Sequence, residues 1–385
     1  MKNATSDRDG TAREGAGNRH LSLAARLREK IRRDGAITFH EWMKSALYDP
    51  EVGYYRRPDL RRWGREGDYR TSPERSDLFA ATFGRYFARL YEDLAEPEDW
   101  TIVECGAGDG RFALGVLQTL SDRFPAVFEA TRYAVYDSSD DALTRARERL
   151  QGFGERVTFY SEFERLPRGR GIYFSNELLD AFPVHRVIMD ADGLSEFYVT
   201  TDLNGEFDWT TSQLSTPLLA EFCAAYAPDL EQGQILEINL EIDGWLAGIA
   251  GKLDHGFIVT VDYGAEAGEL YDPRVRPSGT LRGFSRHGFV DEMLAHPGEC
   301  DLTASVNWTQ IKRTGELLGL KVVEFSRQDK FLLNAGLLEE LECLVGKARG
   351  EAEKLTLTTG AREMILPGGL ASSFQVLVQK KNLRS

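Results

Sequence analysis

Residues 101–110 read Thr-Ile-Val-Glu-Cys-Gly-Ala-Gly-Asp-Gly, a short apolar run that ends in three glycines at alternate positions. The run is too short for a helix and is rich in β-branched residues, so it predicts a buried strand. The glycines predict a sharp turn whose backbone can approach a ligand closely, and the residues beyond it open a helix. A strand, a glycine turn and a helix in that order are the first pieces of a βαβ unit, which leads to a parallel sheet covered by helices. The alternation continues. Strands at 132–136, 157–160, 171–175 and 257–264 are interleaved with helices at 110–122 and 140–151. The expected fold class is therefore α/β, a Rossmann-like and mostly parallel sheet.

The flanks are different in kind. Leu21, Ala24, Leu27 and Ile31 fall at helical spacing, a turn follows at Asp34-Gly35, and Thr38 and Glu41 form a capping-box spacing ahead of a helix to Leu47. Phe79, Phe83, Phe87 and Leu90 share one face of a helix over 76–93. Residues 186–210 alternate apolar and polar around turns at 190–193 and 204–205, which predicts an antiparallel insertion. A helix near 216–226, a strand at 234–240 and a helix at 241–253 follow; a helix at 308–318 and strands at 320–326 and 374–379 suit an antiparallel end to the sheet. The expected organisation is a disordered tail over 1–20, a helical N-terminal segment and lid over 21–95, and a Rossmann-like domain over 96–385. That domain carries an insertion at about 184–232 and a lid segment at about 265–306. With 385 residues, 42% of them hydrophobic, the chain can bury a core of that size.

A formal net charge of −14 argues against nucleic-acid binding, which draws on excess Lys and Arg. Cys105, Cys223, Cys300 and Cys343 lack metal-ligand spacing and fit packed thiols in a reducing compartment. No apolar run is long enough for a membrane span, and Asp7, Asp9 and Glu14 make residues 1–20 unlike a transit peptide, so the cytoplasm is the expected location. No motif speaks to oligomeric state.

The turn itself narrows the ligand. A dinucleotide fingerprint has its third glycine where this chain has Arg111, which serves a pyrophosphate poorly. Glu104 at the strand end disfavours a phosphate and suits an ammonium group. S-adenosylmethionine (SAM) offers an amino-acid end, a sulfonium charge and no phosphate. Asp137, followed by Ser138, ends the second strand, where an acid can accept hydrogen bonds from a ribose diol; the other reading makes one of the two a helix cap. Asn176, Glu177 and Asp180 end a later strand and are expected to face the reactive end of the cofactor. Carboxylates there could grip a guanidinium and localise a lone pair on one nitrogen, or serve only as cap and surface acid. His287 is open to two roles, general base or structural group. Glu237 on a predicted strand has no role that spacing assigns, and the arginine-dense stretch from Arg56 to Arg70 reads as loop.

In order along the chain stand Phe39-His-Glu-Trp-Met-Lys-Ser-Ala-Leu-Tyr-Asp-Pro-Glu-Val-Gly-Tyr-Tyr55, Gly67-Asp-Tyr-Arg-Thr-Ser-Pro73, the glycine turn and Ser175-Asn-Glu-Leu-Leu-Asp180. Val261-Asp-Tyr-Gly264, Gly279-Thr-Leu-Arg-Gly-Phe284 and Asp301-Leu-Thr303 follow. This ordered set resembles the MidA-like SAM-dependent methyltransferases, a family that includes the mitochondrial protein arginine methyltransferase needed for complex I assembly and its bacterial relatives. The resemblance runs from about residue 22 to the final strand. It implies that Glu104, Gly106, Gly108, Gly110 and Asp137 bind the cofactor and that Thr71, Ser72 and Pro73 lie near it. It also implies that Asn176, Glu177 and Asp180 form the acceptor side, and that the acceptor is an arginine of a protein, such as a respiratory-complex subunit. Many members have Gly-Pro-Gly-Arg-Gly at the turn, and residues 366–374 fit the family only loosely, so the acceptor could differ. The rival expectation is a non-catalytic assembly chaperone that keeps the fold and grips a partner.

Overall fold

The computed structural model describes residues 22–57, 77–285, 288–366 and 373–383. Helix α1 (Leu23–Asp34) starts at Ser22, whose hydroxyl accepts the Ala25 N–H. The two-residue strand β1 (Ile37–Thr38) leads into α2 (Phe39–Tyr48), where Thr38 accepts the Glu41 N–H at 3.1 Å, as the capping-box spacing predicts. Helix α3 (Asp77–Glu92) carries its phenylalanine face inward.

The alternating region then builds β2 (Trp100–Cys105), α4 (Arg111–Arg123), α5 (Pro125–Ala130), β3 (Thr131–Tyr136), α6 (Asp140–Leu150), β4 (Val157–Tyr160) and β5 (Gly169–Asn176). The insertion follows as β6 (His185–Asp190), β7 (Gly193–Thr201), β8 (Phe207–Ser212), α7 (Leu218–Tyr226) and β9 (Ile235–Ile238). Helix α8 (Glu241–Lys252) returns the chain to β10 (Leu253–Ala265), and the short α9 (Ala267–Leu270) opens the next excursion, β11 (Arg282–Ser285), β12 (Gly288–Phe289) and β13 (Asp301–Thr303). The chain closes through β14 (Val306–Asn307), α10 (Trp308–Leu317), β15 (Leu320–Arg327), α11 (Gln328–Ala335), α12 (Leu337–Lys347), α13 (Glu351–Ile365) and β16 (Phe374–Lys381).

The central sheet has the order β15-β16-β10-β5-β2-β3-β4, with β14 continuing beside β10. Strands β10, β5, β2, β3 and β4 run parallel, with helical crossovers from β2 to β3 and from β3 to β4 and α8 leading into β10; β16 runs antiparallel to both β10 and β15. The chain moves outward from β2 through β3 to β4 and then returns to place β5 on the other side of β2. That reversal is the switch point at which open α/β sheets bind ligands, beyond the carboxyl ends of the strands. It gathers the segments after β2, β3, β5 and β10 on one edge.

One face of the sheet is packed by aromatic rings, with Phe112 stacked on Phe174 at 4.3 Å between centroids and Phe83 at 5.2 Å from Phe174. The opposite face buries Leu246 and Ile249 of α8 and Trp308 and Ile311 of α10. A second apolar core joins three separate stretches of sequence: Leu27 and Trp42, Val184 and Val199, and Leu281 and Leu302. Ile37 pairs with Val199, so β1 becomes the edge of the insertion sheet β1-β7-β6-β9. Each large side chain buried there contributes about 1.5–3 kcal/mol, which holds the N-terminal helices on the insertion.

The strand expected at 234–240 joins this insertion sheet through β6. Helices α11, α12 and α13 and the small β11–β13 sheet lie outside the sequence expectations. Leu333, Leu338 and Leu355 of the three helices point outward, which blurs the apolar periodicity. Helix α12 is anchored by charge as well as by apolar contact: buried Glu340 meets Arg85 at 3.2 Å and Arg123 at 3.7 Å.

Candidate active site

The turn after β2 uses left-handed backbone at all three glycines, with φ of 72° at Gly106, 56° at Gly108 and 76° at Gly110. A side chain would be strained there and would also collide: a Cβ at Gly106 would stand 3.0 Å from Leu178 Cδ1, and one at Gly110 would stand 3.0 Å from Ala146 Cβ. The N–H groups of Gly106 and Ala107 both donate to the Tyr136 carbonyl, at 2.9 and 3.0 Å. Asp137 is held at the same turn, its Oδ2 accepting the Gly108 N–H at 2.9 Å and its Oδ1 the Ser139 N–H at 2.8 Å. Ser139, not Asp137 or Ser138, is the cap of α6. Asp137 is thereby freed from the capping role. A carboxylate oxygen accepts two hydrogen bonds, so this geometry is compatible with a ribose diol. The Ser138 carbonyl accepts from Arg56, which ties the start of the arginine-rich stretch to the cofactor edge.

Glu104 forms the floor of the turn. It is buried and accepts the Tyr133 hydroxyl at 2.8 Å. Burial pushes its carboxyl up to about 8; the Tyr133 hydroxyl opposes the rise, and the charges of Asp109 and Asp137 add to it. A cationic ligand group beside Glu104 would restore the carboxylate. The glycine cradle and this acid therefore fit an amino-acid-bearing cofactor without phosphate.

At the neighbouring strand end, β5 stops at Asn176 and the next residue, Glu177, takes φ of 50°, a left-handed conformation that is strained for a non-glycine residue. The strain is held by neighbours. The Glu177 N–H donates to the Val261 carbonyl at 2.9 Å, and the Leu179 N–H donates to Asp262 Oδ2 at 3.0 Å. Beyond them the Asp180 carbonyl accepts the Ala304 N–H at 2.9 Å, and the Ala181 carbonyl accepts the Tyr48 hydroxyl at 2.9 Å. Asn176 Nδ2 donates to Glu177 Oε1 at 3.1 Å.

Asp180 and Asp262 are both buried. Burial pushes Asp180 up to about 6, opposed by the Tyr263 hydroxyl and by backbone N–H groups. Asp262 lies well above the usual carboxylate range, through burial first and then the charge of Asp180, with Glu177 adding to it. Neither acid forms an ion pair with a basic side chain among the described residues, and the contacts that oppose the rise are hydrogen bonds. Among the described residues, Asn176 Oδ1, Asp180 Oδ1, the Tyr263 hydroxyl and Thr303 Oγ1 are buried without a well-formed hydrogen bond. The wall beside them is aromatic: Tyr48 and Tyr55 stand 5.4 Å apart, and the Tyr55 hydroxyl donates to Asp301 at 2.6 Å.

The structure thus brings Glu104, Gly106, Gly108, Gly110, Asp137 and Ser138 to one end of the crevice and Asn176, Glu177 and Asp180 to the next strand end. Thr71, Ser72, Pro73 and His287 lie outside the described residues. Glu237 is a fastening group: Arg186 donates to it at 3.1 Å, and its other oxygen accepts from Thr280. Asp262, Tyr263, Tyr48 and Thr303, which have no sequence assignment, pack against the segment that holds Glu177 and Asp180. Asp262 and Tyr263 had a signal, since they end an apolar strand by the rule that singled out Asn176 to Asp180.

A glycine turn with an acid on its floor, a second acid on the neighbouring strand and both at the carboxyl edge of a Rossmann-like sheet define the class of SAM-dependent methyltransferases. The chain belongs to the family described as "Putative S-adenosyl-L-methionine-dependent methyltransferase", whose model matches residues 82–326. SAM is its cofactor. It is 27% identical to the Drosophila melanogaster "Protein arginine methyltransferase NDUFAF7 homolog, mitochondrial", over 93% of this chain and 84% of that protein. Identity to the Homo sapiens "Protein arginine methyltransferase NDUFAF7, mitochondrial" is 25%, over 94% and 84%. A Burkholderia thailandensis protein solved bound to S-adenosyl-homocysteine superposes with a TM-score of 0.84 at 28% identity, covering 94% of this chain and 92% of that one. Among the described residues, no helix is long and apolar enough to cross a membrane.

Proposed function

We propose that this methyltransferase acts on a protein arginine, with Asn176, Glu177 and Asp180 on the acceptor side. The observation that carries the reading is the pair of buried acids, Asp180 and Asp262, neither of which forms an ion pair with a basic side chain among the described residues. Buried charge requires a partner, and a guanidinium supplies both a positive charge and several N–H donors for the unmet acceptors Asn176 Oδ1 and Asp180 Oδ1. SAM, when bound, supplies an electrophilic methyl group. Glu177 and Asp180 would orient the guanidinium so that one nitrogen lone pair faces that methyl, and one proton must leave the nitrogen as the N–C bond forms. Asp180, near 6, is ionised at neutral pH and can receive it. His287 remains the further candidate for that proton.

On the cofactor side we assign Glu104, Gly106, Gly108, Gly110, Asp137 and Ser138, with Thr71, Ser72 and Pro73 added by the family resemblance. The stretches 21–95, 184–232 and 265–306 are read as a lid and insertion over the acceptor; the apolar core they share supports this up to Tyr55, while α3 packs in the core of the central sheet. The names of the curated relatives support arginine as the acceptor. A respiratory-complex subunit is the protein substrate we would test first. The cytoplasm is the compartment we propose, on the strength of four free cysteines.

The test is incubation of the purified chain with labelled SAM and a lysate, followed by mass spectrometry for methylarginine. Label confined to small molecules or to other side chains would overturn the arginine reading. Glu177→Ala is expected to keep S-adenosylhomocysteine (SAH) affinity and lose methylation of the acceptor so found.

A further inference from the structure

Tyr263 stands where three parts of the molecule meet. Its residue pairs with Phe374 across β10 and β16, and the two rings meet edge to face at 5.5 Å. The Arg282 guanidinium of β11 lies over the Tyr263 ring at 5.7 Å, and the Tyr263 N–H donates to Asp262 Oδ1 at 2.9 Å. Ring and backbone are therefore fixed, and so is the place of the hydroxyl. That hydroxyl oxygen is buried, beside the Asp180 carboxyl of the β5 loop and the Thr303 hydroxyl of β13. Asp180 Oδ1, the Tyr263 hydroxyl and Thr303 Oγ1 each lack a well-formed hydrogen bond among the described residues. A buried polar group left unmet calls for an explanation, and here three unmet groups converge.

We propose that Tyr263 is a positioning residue for methyl transfer, its hydroxyl donating to Asp180 and accepting from Thr303 so that the carboxylate faces the acceptor nitrogen. The inference rests on the reading of Asp180 as the acceptor-side carboxylate. Tyr263 suits the task because burial, then the charges of Asp180 and Asp262, hold its proton well above the ordinary tyrosine range, so it stays a neutral donor. Contacts of this kind are often loose before the acceptor arrives and tighten with it. Around Asp180 stand Asp262 and Tyr263 from β10 and Tyr48 from α2, with Glu177 beside Asp262, Asp301 of β13 beside Tyr48 and Arg282 of β11 over the Tyr263 ring. Arg282, the basic group among them, meets the ring and forms no ion pair with Asp180, which leaves the Tyr263 hydroxyl as the side-chain group at the carboxylate.

The experiment is a carboxyl NMR titration of the full chain labelled with 13C-aspartate, with Asp180 assigned by its loss in Asp180→Asn. Removing a donor from a carboxylate raises its pKa, so Tyr263→Phe is expected to move the Asp180 midpoint up by about one pH unit. Affinity for SAH, measured by calorimetry, should stay within about twofold, which also reports that the variant is folded. Thr303→Val should move the midpoint in the same direction by less, and it decides the matter if Tyr263→Phe does not fold. An Asp180 midpoint that neither variant moves would overturn the proposal. Binding of ethylguanidinium to the SAH complex, followed against pH, tests the arginine reading separately. Its midpoint should follow that of Asp180 in each variant, and an absence of binding at every pH with the NMR shift intact would count against arginine alone.

Discussion

The backbone N–H of Gly108 donates to Asp137 Oδ2 at 2.9 Å, so the glycine turn after β2 and the acid after β3 are one hydrogen-bonded piece. Asp137→Ala removes the staple of the turn and, on the proposed reading, a ribose acceptor with it. SAH affinity is expected to fall at least tenfold, about 1.4 kcal/mol, by isothermal calorimetry. Unchanged affinity would remove Asp137 from the cofactor site.

Gly106→Val should abolish SAH binding and disturb the acceptor loop as well. The new Cβ would sit at φ of 72° and 3.0 Å from Leu178, one residue beyond Glu177. Calorimetry reads the first effect, and Asp180 chemical shifts read the second. Wild-type SAH affinity in this variant would show that the turn does not carry the cofactor.

Cofactor affinity should depend on pH through Glu104. Its carboxyl stands at about 8 without a cation beside it, so at pH 7 most of the protein carries a proton there. An ammonium group favours the carboxylate, and binding must then release that proton. SAH affinity is expected to rise from pH 6 to pH 8. Calorimetry at pH 7 in two buffers of different ionisation heat should report close to one proton released. Glu104→Gln should bind more weakly and show no such release.

Asp180→Asn should be more stable than the natural chain while losing methylation. Folding raises the Asp180 carboxyl to about 6, so the folded state holds the proton more tightly than the unfolded state does. Stability is then lost as pH climbs through the window from 3.8 to about 6, and the whole penalty is in place above it. Urea unfolding at pH 7.5 is expected to show a gain on the order of 2 kcal/mol that shrinks toward pH 4. An equal gain at both pH values would point to packing instead of charge.

Glu237→Ala should loosen the segment after α9. It strands Arg186, whose guanidinium meets Glu237 at 3.1 Å, and frees the Thr280 N–H. Losing one partner of a buried ion pair costs about 3–5 kcal/mol. Urea unfolding should show that loss, and limited proteolysis should cut first within 265–306. Wild-type stability would make the pair a surface ornament.

Much of this was legible in the chain. The parallel strands, the glycine turn and the Thr38 cap follow from period and from the conformational freedom of single residues, which are local properties. The strand-end rule placed Asp137 and Asp180 at the ligand edge before any neighbour was known. Helices α11 to α13 were not legible, since Leu333 and Leu355 face outward and mix apolar residues into the polar stripe. The placement of Asp262 and Tyr263 against residues 177–180 was not legible either, although their motif was in view.

The sequence by itself determined the alternating strands and helices of the parallel sheet and which side chains stand at its strand ends, because those depend on contacts within a few residues. Only the tertiary structure decided which of those groups meet. Tyr48 reaches Ala181 across 133 residues and Tyr55 reaches Asp301 across 246, and Asp262 comes beside Asp180 only once β10 is laid against β5. Burial and hydrogen-bond partners, which lift Glu104 to about 8 and Asp180 to about 6, depend on that assembly and not on spacing along the chain.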